Sequence, residues 1–328
     1  MDMIQKKQLL VVIGLLFLML TGCGSKKEQI LIYTSAEDYR IEYLNQRLKE
    51  EFPEYDIVLD YMSTGNHAAR LLAEGTETLC DITYDLEYSY LGQLEADGIL
   101  ADLSQWYDMS IYEEDTVVSD CYIVENRNGG GIILNTKVLE KRGLKEPDSY
   151  KDLLDPQYKN LISMPSPKAS GTGYMFLKSL VNCWGEEEAF AYFDRLTDNI
   201  LQYTSSGSGP VNALIQEEAA IGLGMTGQAV MQINEGAPLK VIYFEEGSPY
   251  SLYGQGIIKG KEERACVKDV FDFLIHTYNY ENNGKFLPEK IYRDKDYIIE
   301  NYPTGIVYSD MSGNTGEEKE RLLDRWKY

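Results

Sequence analysis

A short apolar run, a loop rich in hydroxyls and glycine, then an amphipathic helix: this unit recurs along the chain and limits what it can fold into. Ile30 to Tyr33 is followed by Thr34-Ser35-Ala36-Glu37-Asp38 and a helix with Ile41, Leu44, Leu48 and Phe52 on one face, stopped by Pro53. Ile57 to Tyr61 leads through Ser63-Thr64-Gly65-Asn66 to a helix bearing Ala68, Leu71 and Leu72 that closes at Gly75. Asp81 to Tyr84 leads through Asp85 to a helix carrying Tyr90, Leu91 and Leu94. Strands alternating with helices at this pace predict an α/β fold, a parallel sheet with helices on its faces.

The second half repeats the unit with stronger loop chemistry. A glycine triplet, Gly129 to Gly131, enters the strand Ile132 to Leu134, and Thr136 is read as the cap of a helix ending at Gly143. Ile162 to Met164 then stops at Pro165 and Pro167, and Ser170-Gly171-Thr172-Gly173 opens a helix with Tyr174, Leu177, Leu180, Val181 and Trp184 at helical spacing. Unpaired N–H groups and the positive end of the helix dipole face outward at such a start, which suits an anion. Taken singly, such a loop is equally a cap and a tight turn. Tyr203-Thr204-Ser205-Ser206-Gly207-Ser208-Gly209-Pro210 repeats it, with Pro210 suited to a first helical turn. The strand Ala220 to Met225 opens on Thr226-Gly227-Gln228. Val241 to Phe244 reads as a strand, and Glu245 to Gln255 as a turn-rich segment holding Tyr250 and Tyr253. A long helix carries Val267, Val270, Phe271, Leu274, Ile275 and Tyr278, and a short one with Leu322, Leu323 and Trp326 ends the chain.

The N-terminus reads as an address. Lys6 and Lys7 precede the apolar run Leu9 to Leu20, too short for an ordinary membrane span. Leu20-Thr21-Gly22-Cys23 resembles the lipobox of bacterial lipoproteins, which implies cleavage after residue 22 and a lipid on Cys23. Residues 23–29 then form a tether, and the remainder of the chain is long enough for two lobes with their own cores. The chain carries 31 Lys+Arg against 53 Asp+Glu, so a nucleic-acid partner is not expected. Cys80, Cys121, Cys183 and Cys266 lack metal-type spacing, and both disulfides and free thiols stay open. With His67 and His276 as the only histidines and no hydrolase elbow, the chain does not read as an enzyme.

In order and spacing, these pieces resemble the extracellular solute-binding proteins of bacterial ABC importers. The two-lobed group that includes ferric-ion, thiamine, phosphonate and sugar-phosphate binders is the nearest match. The resemblance rests on Leu31-Ile32-Tyr33-Thr34-Ser35, Ala69-Arg70-Leu71-Leu72-Ala73-Glu74-Gly75, Gly131-Ile132-Ile133-Leu134-Asn135-Thr136, the two Ser/Gly segments, and Gly254-Gln255-Gly256-Ile257-Ile258-Lys259-Gly260. It implies a type II periplasmic-binding-protein fold whose lobes are joined by two crossing strands that act as a hinge. Lobe 1 would take residues 30–125 plus 255–328; the hinge strands and lobe 2 would take 126–254. Ligands in open sheets sit beyond the carboxyl ends of the strands. The expected ligand residues are therefore Ser35, Thr64, Gly65 and Asp85 facing Ser170, Gly171, Thr172, Gly173, Ser205, Ser206, Gly207 and Thr226, with Tyr250 as a wall.

The clustered hydroxyls and helix starts favour a small phosphate- or phosphonate-bearing solute, such as 2-aminoethylphosphonate or a sugar phosphate, with no cofactor. Asp85, or Glu37 and Asp38, would meet an amine on such a ligand, unless they merely cap helices. Ferric ion and thiamine are the alternatives within the family, although no Tyr-Tyr pair of the kind its iron binders use occurs here. A phosphate-ester hydrolase and a structural surface lipoprotein are the alternatives outside it. The implied partners are an ABC permease with its ATPase and, through Cys23, the outer face of the cytoplasmic membrane.

Overall fold

Parallel strands need a crossover between them, and the first part of the chain supplies one each time. The computed structural model describes residues 27–113, 116 and 119–328, so the basic start and the lipobox with Cys23 lie outside the described residues. β1 (Gln29–Thr34), α1 (Asp38–Glu51), β2 (Asp56–Tyr61), α2 (Thr64–Glu74), β3 (Ile82–Glu87) and α3 (Tyr88–Ala96) follow one another as the apolar periods predict. β1 pairs in parallel with β2 on one edge and β3 on the other.

β4 (Ile123–Asn135) is then a single strand of 13 residues, buried along its whole length. The glycine triplet lies inside it rather than before it. α4 (Thr136–Arg142) is capped by Asn135, whose side chain accepts from the Val138 N–H at 3.0 Å, and not by Thr136. Next come β5 (Ile162–Pro165), α5 (Gly171–Trp184), α6 (Glu186–Leu196), β6 (Ile200–Thr204), α7 (Gly209–Ile215), β7 (Ile221–Met225) and α8 (Thr226–Asn234). β5 runs parallel to both β6 and β7. β8 (Leu239–Ile242) pairs with β4.

The segment expected to be turn-rich is instead mostly strand: β9 (Tyr250–Ile257) lies antiparallel to β3 and to β4. Its glycines mislead because they look like turn residues, yet they are there for close approach. A Cβ on Gly254 would stand 2.6 Å from the Ile123 carbonyl oxygen. The described strands make one mixed sheet in the order β2-β1-β3-β9-β4-β7-β5-β6, with β8 off that path on β4. Residues 123–129 of β4 pair with β9, and residues 130–134 pair with β7, so the sheet changes hands at the glycine triplet. A helical run comes next: α9 (Ala265–Phe273), a π turn at Leu274–Tyr278, and α10 (Asn279–Phe286). α11 (Gly316–Arg325) is the last helix.

Two main cores result. The first gathers Ile32, Leu44, Ile82, Leu91, Ile257 and Phe271; the second gathers Ile132, Ile162, Leu177, Phe193 and Ile221. Ile133, one residue along from Ile132, joins a smaller cluster with Val211 and Leu214 on the opposite face, as strand alternation requires. One boundary needs correcting. The chain after residue 255 was expected wholly in the first lobe, but Met311, Leu322 and Trp326 pack into the second core. An amphipathic period shows that α11 has an apolar face; it does not say which core receives it.

The four described cysteines are free, with Cys80 and Cys266 buried and Cys183 exposed. His67, in the first turn of α2, is fully buried. Its Nε2 lies 3.0 Å from the Thr83 hydroxyl and its Nδ1 3.5 Å from that of Ser35. Burial drives its pKa down to about 3. An unfolded histidine takes a proton near pH 6.5, which the native ring refuses, so stability is full above that value and falls as the pH drops toward 3. Between about pH 7.5 and about pH 5 this site should remove about 2 kcal/mol of stability. Urea unfolding of the native chain and of His67→Gln at both values checks this, and the variant should lose less on acidification.

Candidate functional site

The carboxyl ends of β1, β2, β5 and β6 point at a common cavity of about 220 Å³. One lobe contributes Ser35, Glu37, Asp38, Tyr61 and Thr64. The other contributes Ser170, Thr172 and the Ser205–Ser208 loop, and Tyr253 of β9 forms part of the wall. No lysine or arginine is among these lining residues.

The loop before α5 is shaped by its own backbone. The Ser166 N–H donates to the Thr204 carbonyl at 2.8 Å, which ties it to the end of β6, and the Ser170 N–H turns back to the Ser166 carbonyl at 2.9 Å. α5 then begins at Gly171. Its cap residue, Ser170, makes no side-chain capping bond, so the Ser170 hydroxyl is not taken up by its own helix. The first-turn N–H groups of a helix have no intrahelical acceptor. Three glycines here are required for proximity. A Cβ on Gly173 would stand 2.4 Å from the Pro165 carbonyl oxygen, one on Gly171 2.5 Å from the Tyr253 hydroxyl, and one on Gly207 2.4 Å from the Thr172 hydroxyl. Only hydrogen in those places lets the helix start, the serine loop and the crossing strand meet. The lobes also touch at the rim, where a Cβ on Gly65 would lie 2.8 Å from the Lys168 carbonyl oxygen.

Beneath the cavity sits a buried arginine that the sequence reading missed. Arg40 Nη1 donates to Glu37 Oε2 and to Asp85 Oδ2, both at 2.9 Å; Nη2 donates to Asp85 Oδ1 at 3.2 Å, and Nε to Asn282 Oδ1 at 3.2 Å. Burial opposes its charge, but Asp85 and Glu37 outweigh that and hold it firmly protonated. Glu125 Oε1 is 3.9 Å from Nη2. Burial, reinforced by Asp85, pushes the Glu125 carboxyl well above the usual range, so it keeps its proton. Burial likewise raises Glu37, with Arg40 pulling the other way. The floor thus holds one guanidinium balanced by carboxylates, which limits the net charge it projects upward.

Of the residues picked from the sequence, Ser35, Thr64, Ser170, Thr172, Ser205, Ser206 and Gly207 come together on the cavity. Gly171 and Gly173 lie behind its wall and Gly65 at its rim. Asp85 is below it, at φ +55° in a bulge of β3, with its carboxylate on Arg40 and Asn126 and its carbonyl accepting from Ser35. It is not free to meet an amine. Thr226 and Tyr250 lie elsewhere. The Thr226 hydroxyl is 3.1 Å from that of Tyr243, and Tyr250 packs edge-on against Tyr308 with the Arg127 guanidinium 5.0 Å from its ring centroid. Tyr61 and Ser208 went unpicked, though each adjoins a loop that was read correctly. Arg40 had no signal beyond a charge on an otherwise apolar helix face.

The comparisons agree with this architecture. Residues 77–278 match the family described as bacterial extracellular solute-binding protein. An uncharacterized protein of Haemophilus influenzae is 30% identical over 324 residues, covering 94% of this chain and 92% of its own. The periplasmic binding protein AfuA from Actinobacillus pleuropneumoniae, with fructose-6-phosphate bound, superposes with a TM-score of 0.77 at 24% identity, over 92% of this chain and 98% of that one. A periplasmic thiamin binding protein superposes with a TM-score of 0.76 at 14% identity, over 93% and 96%. Such proteins act by capture and not by catalysis. The chain belongs to the bacterial extracellular solute-binding proteins, and its fold is the two-lobed one of the periplasmic binding proteins it superposes on.

Proposed function

We propose that the receptor captures a small solute bearing a phosphate or phosphonate group in the interlobe cavity and hands it to its permease. The observation that carries this reading is the convergence of Ser170, Thr172, Ser205, Ser206 and Ser208 with the start of α5 on one side of the cavity. Tetrahedral oxyanions accept many short hydrogen bonds, and hydroxyls plus helix N–H groups supply them without a lysine. Glu37 and Asp38 on the facing side suit the rest of the solute, whether its amine or its sugar hydroxyls. Bound fructose-6-phosphate in AfuA supports the same chemistry in this fold.

A thermal-shift panel of 2-aminoethylphosphonate, fructose 6-phosphate, thiamine and Fe(III) on the full chain tests the reading. At about a thousandfold excess over Kd a true ligand adds about 4 kcal/mol of stability. A phosphorylated or phosphonate compound should give the shift, and a shift with iron or thiamine alone would overturn it. Thr172→Val keeps the shape of the side chain but removes its hydroxyl. We expect it to weaken the stabilising compound about tenfold by titration calorimetry while leaving the fold intact.

We further propose that a lipid on Cys23 holds the receptor at the outer face of the membrane, on the strength of Leu20-Thr21-Gly22-Cys23. Cys23→Ala should move the protein from the membrane fraction to the soluble fraction of cells expressing the full chain. Retention of the variant in the membrane fraction would sink the anchor.

A further inference from the structure

The chain passes between the lobes a third time, after the two crossing strands. Tyr292 still packs in the first core, whereas Met311, Leu322 and Trp326 pack in the second. α11 begins against the first lobe, where a Cβ on Gly316 would stand 3.4 Å from the Ser89 carbonyl oxygen. Farther along it is fastened to the second lobe, with Arg325 Nη1 at 2.7 Å from both Glu186 and Glu187.

Between these ends lies Lys319, 1% exposed. Its ammonium donates to Glu87 Oε2 and, at 3.3 Å, to the Ser89 hydroxyl, both in the first lobe. The same nitrogen is 3.9 Å from the ring centroid of Tyr90, in the first lobe, and 4.6 Å from that of Tyr174, in the second. Glu87 is fully buried and held in turn by the Ser251 hydroxyl of β9 at 2.9 Å and the Asn314 side chain at 3.0 Å. A buried ammonium separated from its partners is left uncompensated, so such a pair resists being pulled apart.

We propose that α11 is an interlobe staple, with Lys319 as its pin, that biases the ligand-free receptor toward the closed arrangement of its lobes. Separating the lobes must either draw the ammonium out of the Tyr90–Tyr174 sandwich or pull Leu322 and Trp326 from the second core. Neither Lys319 nor Glu87 lines the ligand cavity, so the staple acts on the population of the closed state and not on ligand contacts. It does not depend on which solute the cavity takes.

The test uses the full chain without ligand. Spin labels go on the exposed Leu79→Cys of the first lobe and Ile215→Cys of the second, in a Cys121→Ser, Cys183→Ser background, and pulsed EPR reads the interlobe distance distribution. Glu87→Gln with Lys319→Met removes both charges together and leaves neither orphaned. This pair should lower the closed-to-open ratio about tenfold, while Lys319→Arg keeps the native distribution. An unchanged distribution in the folded double variant overturns the staple. Hydrogen exchange on the native chain decides the matter if the double variant does not fold. Protection of α11 matching that of β4 and β9 supports the staple, and exchange at the rate of a frayed terminus overturns it.

Discussion

β4 and β9 carry the architecture: β4 pairs with strands of both halves, and β9 ties its first part to β3. Their mutual pairing over residues 123–129 of β4 joins a sheet built on β1 to one built on β5, and buried backbone groups tolerate no gap there. The pairing depends on glycine. Gly254 lies against the Ile123 carbonyl and Gly130 against the side chains of Met175 and Phe176, at distances no Cβ would survive. The cavity, the lobe contacts at its rim and the return of the chain into the second lobe are all placed by these two strands.

The chemistry of the cleft arises from a division of labour. Neutral hydroxyls and a helix start face the cavity from the second lobe, the carboxyl groups of Glu37 and Asp38 face it from the first, and the Arg40–Asp85 pair lies below. Arg40 is fully committed to Glu37, Asp85 and Asn282. Placed at the surface of the cavity, that guanidinium would dominate ligand choice. Beneath it, ringed by carboxylates, it fixes β3, α1 and α10 to one another. The overall acidity of the chain has little reach into such a site, because solvent screens distant charges within about 8 Å. Local dipoles decide what enters.

Legibility in the sequence tracked the range of the interaction involved. The repeats from β1 to α3 were readable because helical and strand periods are local, and so were the helix ends at Gly75 and Gly143. The Ser170–Gly173 and Ser205–Gly207 loops announced themselves through residue types with a local reason to be at a helix start. Arg40 and His67 did not. Nothing within a few positions of either says that Asp85, Asn282 or Thr83 will stand beside it, since the partners come from other strands and helices.

β9 shows the same limit from the other side: its glycines carry the local signature of turns, and a distant strand decided otherwise. Residue types and their periods alone determined an α/β chain of two lobes with hydroxyl-rich loops at its strand ends. The family entered through the resemblance of short motifs and their order to those of known solute-binding proteins, and not through periodicity. Only the tertiary structure decided which loops share a cavity, that Asp85 lies under it and Thr226 and Tyr250 away from it, and that α11 returns to the second lobe. Those outcomes depend on packing between segments far apart in the chain, where the energy of a contact belongs to the pair and is written in neither partner.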